Sequence, residues 1–407
     1  MKKSLFAIAA VTAFAGAAQA QSSVTVYGIL DVGFAGTTTK GATTATGNGS
    51  PTVNTTSFTG SGSQSTSRLG FRGREDLGGG MAAFFTAEFG LNPTDTNLSG
   101  NTNMGLFNRQ TFVGLSQKGV GQFAIGTQNT PIHNAVGRTD PGQLNNIAGN
   151  VIYSVSTATG SGETTNAYTV RLNNALTLQT DRMSGFQINA IYNNNNTSST
   201  VATNTVAPGV NTGSNVAYGG GINYVWQKLN VDLAYQTLKN TTLNQNGTNQ
   251  TAVAPTMTSA VSTAGGLTLV NQFGTSVNQT QMYAGAVYDF GILKAYGGFI
   301  DSKAVSNLDA NIYAQRAAQQ LGVRGNFNPK IEGWASVGNG RVTAGASQGI
   351  ASPNATQNFT GYQLGANYIL SKRTNAYAIY GSTQVTSSSV NFSERRDSYG
   401  VGVRHTF

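Results

Sequence analysis

Arginine side chains at alternate positions of short strand-like segments are the residues of this sequence best placed to do chemistry. One segment carries three arginines on one parity, Arg68, Arg72 and Arg74, and two large apolar side chains, Leu69 and Phe71, on the other. Successive side chains of a β-strand point to opposite faces, so the guanidinium groups share a face from which the apolar groups are absent. A guanidinium stays charged at any relevant pH. The pattern predicts strands with one apolar face and one face that attracts anions.

Alternating segments of this kind recur along the whole chain. Sixteen can be recognised, at residues 24–35, 67–75, 81–91, 108–117, 121–128, 166–179, 185–193, 215–227, 230–239, 280–289, 292–301, 316–327, 330–339, 358–370, 375–382 and 398–407. Each is about as long as a strand that crosses a bilayer on a tilt. The last segment ends on an aromatic residue with its apolar side chains on one parity, which predicts a terminal strand that closes the sheet.

The connections between these segments alternate in length. Seven short turns lie near residues 76–80, 118–120, 180–184, 228–229, 290–291, 328–329 and 371–374. Eight long polar connections lie near residues 36–66, 92–107, 129–165, 194–214, 240–279, 302–315, 340–357 and 383–397. Short turns at one rim and long loops at the other are typical of an outer-membrane barrel. We therefore predict an all-β fold, a transmembrane antiparallel β-barrel of sixteen strands.

The N-terminus and the composition agree with export to a membrane. Lys2 and Lys3 precede an apolar run and a small-residue cleavage pattern, which predicts a signal peptide over residues 1–20 and a barrel domain over residues 21–407. The full chain has 24 Lys+Arg against 15 Asp+Glu, and removal of the two leader lysines leaves it basic. Beyond the leader, no apolar run reaches the roughly 18 residues that a spanning helix needs.

The long connection near residues 129–165 differs from the others in its apolar content. It contains Ile132, Val136, Leu144 and Ile147, whereas most of the other long connections are rich in Ser, Thr, Asn and Gly and are expected to be flexible surface loops. We expect this loop to fold back into the barrel and narrow it.

Charged side chains on the inner face would line the narrowed region. In the segments of Arg68 and Arg171, the positions that face the other side of the strand carry apolar side chains. An arginine on the lipid face at mid-membrane would cost about 2–4 kcal/mol, so both side chains are expected to face the lumen. If Arg109 also points inward, although its segment alternates poorly, three strands direct guanidinium groups into one lumen. Glu88, inward by parity, and Asp140, from the long loop, would oppose them. A pore lined by one sign concentrates the opposite ion.

Arg72 and Arg74 have a second interpretation. They lie beside Glu75, Asp76 and a short turn, which favours charges solvated at the barrel rim. We retain both as possible secondary lumen charges.

Signatures of enzymes, metal sites and nucleic-acid binding do not appear in the sequence. The two histidines, His133 and His405, are far apart, and the chain has no cysteine. No cluster has metal-ligand spacing, no glycine run opens a phosphate-binding loop, and basic residues do not interleave with aromatics. We expect a protein that is not an enzyme, holds no metal or cofactor and binds no nucleic acid.

Four stretches and the chain end carry a family resemblance. They are residues 21–33 (QSSVTVYGILDVG), 67–80 (SRLGFRGREDLGGG), 107–115 (FNRQTFVGL) and 171–174 (RLNN), with the terminal Phe407. Together they resemble the general porins of Gram-negative outer membranes, in their beta-proteobacterial branch. The Pro-Glu-Phe loop motif of enteric porins is absent.

The resemblance implies a homotrimer of sixteen-stranded barrels in outer-membrane lipid and lipopolysaccharide, each with a pore narrowed by its third external loop. It implies that Arg68, Arg109 and Arg171 form an arginine ladder with Glu88 and Asp140 as acidic counterparts. It also implies that Phe407 is the signal read by the barrel-assembly machinery.

These observations favour a passive diffusion channel for small hydrophilic solutes and ions across the outer membrane, with a weak preference for anions. One alternative is a substrate-specific channel for organic acids or sugars, which saturable binding would reveal. Another is a surface adhesin-like barrel, which would conduct almost no current.

Overall fold

The computed structural model describes residues 23–41, 52–99, 105–154, 167–197, 211–244, 276–345, 355–387 and 392–407. The predicted signal peptide over residues 1–20 lies outside these ranges. Among the described residues, no helix is both long and apolar enough to cross a bilayer.

The described residues form one antiparallel sheet of seventeen strands. The strands are β1 (Ser23–Gly41), β2 (Thr52–Thr59), β3 (Arg68–Gly78), β4 (Met81–Gly90), β5 (Phe107–Gln117), β6 (Gly121–Asn129), β7 (Arg171–Thr180), β8 (Phe186–Thr197), β9 (Asn211–Trp226), β10 (Leu229–Asn244), β11 (Ser276–Asp289), β12 (Leu293–Ser306), β13 (Tyr313–Asn328), β14 (Ile331–Gly345), β15 (Ala355–Ile369), β16 (Thr374–Ser387) and β17 (Phe392–Thr406). One helix, α1 (Pro131–Thr139), lies between β6 and β7.

Pairing of the first and last strands closes the sheet into a barrel. β1 pairs with β17 from Ile29↔Thr406 to Gly41↔Glu394, and the backbones of Gly28 and Phe407 exchange two hydrogen bonds of 3.1 Å. The other edge of β1 pairs with β3 along residues 23–29 and with β2 along residues 33–40. β2 and β3 pair with the same edge of β1, one after the other along its length. Together they therefore occupy one strand position of the barrel. The prediction of a closed barrel with sixteen strand positions is confirmed.

The two faces of the barrel wall have opposite chemistry. On β13, Leu321 and Val323 are exposed, whereas Gln320 and Arg324 are buried. The same contrast holds on β17, where Val401 and Val403 are exposed and Ser398 is buried. An apolar outer face with polar side chains inside is the arrangement expected for a barrel surrounded by lipid.

Short turns occupy the end of the barrel that carries Ser23 and Phe407. Each of the seven predicted turns occurs between the expected strands, and β3 joins β4 through Gly78, Gly79 and Gly80, all with positive φ. Only glycine adopts such a run without strain, which accounts for the three consecutive glycines.

At the opposite end the strands are longer than the sequence pattern predicts. β12 continues to Ser306 and β13 begins at Tyr313, so the connection predicted over residues 302–315 shrinks to residues 307–312. Strand pairing continues there through side chains that lack the apolar alternation on which the prediction depended. The prediction of one long loop over residues 36–66 is wrong for residues 52–59, which form β2.

Candidate functional site

A cluster of arginines surrounds Glu88 on the inner wall formed by β3, β4 and β5. The Nε of Arg109 donates to Oε1 of Glu88 at 2.6 Å, and Nη1 of Arg68 lies 3.7 Å from the same oxygen. The hydroxyl of Tyr27 donates to the other carboxylate oxygen at 3.1 Å. Glu88 and Arg109 are buried. The carboxylate is therefore held by two guanidinium groups and a phenol.

A β-bulge explains how Arg109 comes to point inward. Its parity in β5 is that of the exposed Val113 and Leu115. The register between β4 and β5 passes from Glu88↔Gln110 to Phe89↔Asn108, which leaves Arg109 as the extra residue. A bulge redirects the side chain it carries, so Arg109 turns toward Glu88 where regular alternation would have turned it outward.

Helix α1 brings His133 close to the arginines. The hydroxyl of Thr130 caps the helix by accepting from the backbone N–H of His133 at 3.3 Å. Burial lowers the pKa of His133 well below its ordinary value of 6.5, and the positive charges of Arg171, Arg109 and Arg68 lower it further. All three guanidinium groups thus act on one imidazole, and the loop presents a neutral ring to them.

Asp140, at the C-terminal end of α1, is hydrogen-bonded to the loop itself and to β13. Its carboxylate accepts from the backbone N–H of Leu144 at 2.7 Å, from Nδ2 of Asn150 at 2.8 Å and from Nε2 of Gln320 at 3.2 Å. Burial raises the pKa of Asp140. Of the five residues predicted at the constriction, Arg68, Arg109 and Glu88 are in contact with one another. Arg171, the first residue of β7, is near enough to act on them by its charge, and Asp140 is bound to β13.

Three side chains on β13, spaced four residues apart, hold the loop between β6 and β7. The guanidinium of Arg316 donates to the carbonyl oxygen of Val151 at 2.6 Å, and Oε1 of Gln320 accepts from the N–H of Val151 at 3.0 Å. Arg324 donates to the carbonyl oxygen of Pro141 at 2.8 Å. On the other side of the helix, Arg138 donates to Asp232 of β10 at 3.0 Å. The loop segment is therefore hydrogen-bonded to inward-facing side chains on β13 and β10.

A second inward segment, residues 60–67 between β2 and β3, supports Arg68. The buried carboxylate of Asp31 accepts from the N–H groups of Gln64 at 3.0 Å and Ser65 at 2.6 Å, and from the hydroxyl of Tyr377 at 2.6 Å. The carbonyl oxygen of Thr66 in turn accepts from Nε of Arg68 at 2.9 Å.

The same segment also contacts the loop that carries α1. Asn146 donates from its backbone to Ser63 at 2.9 Å and from its side chain to the carbonyl oxygen of Gly62 at 2.8 Å. Residues 60–67 thus connect Arg68 to this loop.

Sequence reasoning missed Asp31, Gln320 and Arg324, although a signal existed for each. Asp31 alternates with the apolar Leu30 and Val32, and Gln320 and Arg324 alternate with Leu321 and Val323. Alternation alone could have identified these polar residues as pointing inward. It could not have identified the residues with which they form hydrogen bonds.

The remaining predicted residues lie near the short-turn end. Arg72 and Arg74 are exposed, and the guanidinium of Arg72 lies 5.4 Å from the ring centroid of Tyr27. The ring of Phe407 lies against Gly28, where an added Cβ would come within 2.4 Å of the ring. The terminal aromatic therefore packs on the closing seam of the barrel.

Comparison with known proteins agrees with this architecture. A family model described as Gram-negative porin matches residues 7–388. The chain belongs to this porin family. The porin is 30% identical over 437 aligned positions to an outer membrane porin protein of Bordetella pertussis, with all of both chains covered. It is 32% identical over 198 residues to outer membrane porin protein 32 of Delftia acidovorans, covering 46% of this chain and 48% of that one.

Solved structures share the fold of the porin. The anion-selective porin from Comamonas acidovorans superposes with a TM-score of 0.64 at 21% identity, covering 95% of this chain and all of that one. OmpF of Salmonella typhi gives a TM-score of 0.58 at 15% identity, with 94% and 97% covered. Family membership and the closed barrel make this porin a passive channel of the outer membrane, and porins are known as channels rather than enzymes.

Proposed function

We propose that this porin conducts small anions in preference to cations and that Arg68, Arg109 and Arg171 set the preference. The observation that carries the proposal is the charge of the cluster: among the described residues, the guanidinium groups of Arg68 and Arg109 contact the carboxylate of Glu88, and Arg171 lies near enough to act on it by its charge. A fixed excess of positive charge in a water-filled passage raises the local concentration of anions.

The described part of this loop, residues 130–154 and 167–170, leaves the charge imbalance in place because its one carboxylate, Asp140, makes no ion pair with the arginines. Within this part of the loop, the His133 ring on which the arginines act is neutral, and the carboxylate of Asp140 accepts from Gln320 of β13. Asp140 thus acts on the shape of the loop and not as an acidic counterpart of the arginines. The loop limits solute size, and the arginines determine which ion passes more easily.

The experiment is the zero-current potential of the refolded protein in a planar bilayer under a salt gradient. We expect an anion-signed potential that decreases in Arg68→Ala and Arg171→Ala. Arg341→Ala, which removes an exposed guanidinium from β14, is the matched control and should leave the potential unchanged. A cation-signed potential, or equal values in all variants, would contradict the proposal.

Assembly and export complete the proposed biology. The porin is exported through a cleaved signal peptide over residues 1–20, leaving residues 21–407 as the barrel domain, and forms a homotrimer in lipid and lipopolysaccharide. Its apolar outer face supplies the surface for both lipid and neighbouring copies. Phe407, with its ring at the closing seam, serves as the signal for the barrel-assembly machinery. Cross-linking in native membranes tests the trimer, and deletion of Phe407 tests the signal.

A further inference from the structure

The guanidinium of Arg316 is a buried charge that the proposed constriction does not use. Its side chain is fully buried on the inner face of β13, with the ring centroid of Phe359 4.6 Å away. Nη2 donates to the carbonyl oxygen of Val151 at 2.6 Å. In the part of the chain that the structure describes, Nε and Nη1 have no acceptor, and no carboxylate forms an ion pair with Arg316.

A third unsatisfied donor lies in the same row of the barrel wall. Nε2 of Gln357 on β15 is also buried without an acceptor among the described residues. Arg316 pairs with Val342 on β14, and Val342 pairs with Gln357. Directly paired residues of a sheet project from the same face, and neighbouring strands are about 4.8 Å apart. Both side chains therefore project inward across Val342.

Three buried donor atoms thus have no acceptor among the described residues: Nε and Nη1 of the cationic guanidinium of Arg316, and Nε2 of Gln357. Together they indicate that an acceptor is missing from this place. Buried polar groups are almost always hydrogen-bonded, and a buried charge is normally paired. Water can accept hydrogen bonds but cannot neutralise a guanidinium. An anion does both, through charge-assisted hydrogen bonds.

We propose that Arg316 and Gln357 form a binding site for a small anion, either a carboxylate or an inorganic oxyanion. Arg316 is the fourth residue of β13, near the end of the barrel with the long connections, so the site lies toward the external side of the loop segment that carries Val151. The site gives the channel a second place where anions bind, apart from Arg68, Arg109 and Arg171. Its role in transport rests on the anion preference proposed above, but its occupancy can be measured without current.

The test is the unfolding temperature of the refolded full chain in detergent, followed by circular dichroism. Sodium acetate or sodium phosphate is titrated at constant ionic strength, with the sodium salt of a bulky sulfonate as the balancing salt. A ligand that binds only the folded state raises its stability as its concentration rises. We expect the unfolding temperature of the wild type to rise with acetate or phosphate.

Variants assign the effect to this site. Arg316→Met should lose most of the rise. Arg341→Met should keep it, because Arg341 lies one register position away on β14 but is exposed on the opposite face. Gln357→Leu should need a several-fold higher anion concentration for the same rise. Acetate and phosphate together distinguish a carboxylate site from an oxyanion site.

Two outcomes would overturn the proposal. An equal rise in the wild type, Arg316→Met and Arg341→Met would mean that anions bind elsewhere, and no rise in any protein would mean that water alone occupies the site. If Arg316→Met does not fold, an unchanged titration in Gln357→Leu overturns it equally. A cation-signed zero-current potential in the wild type would contradict the anion preference proposed above. It would not affect the conclusion that an anion binds at Arg316 and Gln357, which depends on the unfolding temperature alone.

Discussion

Arg109 donates to Glu88 at 2.6 Å although the parity of β5 would turn its side chain to the outside of the barrel. The bulge that redirects Arg109 places a guanidinium and a carboxylate in contact within the wall. Glu88 therefore cancels part of the positive charge of the cluster, and its removal should change selectivity in a defined direction.

Glu88→Gln should increase the anion preference. Glutamine keeps an acceptor for Arg109 and Tyr27 but removes the negative charge that Glu88 places among the arginines. A unit charge about 4 Å from a permeating ion contributes about 1 kcal/mol in water, which is roughly a fivefold change in the permeability ratio. The measurement is the zero-current potential under a salt gradient. Glu75→Gln, an exposed site at the short-turn end, is the control. A smaller anion-signed potential would mean that Glu88 chiefly orients the arginines.

Strand alternation predicts the barrel, its closure and the inward direction of Arg68 and Glu88, because a period of two follows directly from backbone geometry. The direction of Arg109 depends on a bulge, and a bulge is a property of strand pairing that one segment cannot reveal. Asp140 illustrates a further limit. Its partner Gln320 is 180 residues away, so nothing local indicates that the carboxylate bonds to β13.

Asp31→Ala should destabilise the porin and disturb its current. The substitution leaves two backbone N–H groups and the hydroxyl of Tyr377 without their acceptor. Each buried group left unpaired costs on the order of 1–3 kcal/mol. Because Thr66 in this segment holds Arg68, we also expect larger current fluctuations and a weaker anion preference.

The control for Asp31→Ala is Asp301→Ala, which removes a carboxylate bonded to Gln315. Unfolding in denaturant and single-channel recording are both informative. If Asp31→Ala and Asp301→Ala lower the free energy of unfolding equally and both leave the current fluctuations as small as in the wild type, that result would show that residues 60–67 do not support Arg68.

Gln320→Leu should loosen the loop segment without changing the sign of selectivity. The amide of Gln320 bonds both Asp140 and Val151, and each hydrogen bond has a net value of about 0.5–1.5 kcal/mol. We expect a higher mean conductance, more frequent current transitions and a larger size limit in liposome swelling. The arginine cluster is untouched, so the potential should stay anion-signed.

Gln319→Leu is a closely matched control because it changes the neighbouring glutamine of opposite parity. Gln319 is exposed and bonds Asn339 of the next strand at 3.1 Å. Its variant should conduct like the wild type. Identical conductance and size limits in both variants would show that Gln320 does not position the loop.

His133 should make the porin less stable as the pH falls below about 6.5. Burial and the three arginines hold its folded-state pKa well below that of an unfolded histidine. Below about pH 6.5 the unfolded chain takes up a proton on this side chain and the folded chain does not, so unfolding becomes more favourable by up to about 1.4 kcal/mol per pH unit. The loss continues until the pH reaches the folded-state pKa.

The measurement for His133 is the difference in unfolding free energy between the wild type and His133→Gln from about pH 7 to pH 5. We expect the advantage of the wild type to shrink as the pH falls. His405→Gln, which changes an exposed histidine of β17, serves as the control for general effects of pH. A wild-type advantage that grows with acidity would mean that His133 is protonated in the folded state. It would then add a fourth positive charge to Arg68, Arg109 and Arg171, and the anion preference would increase at low pH.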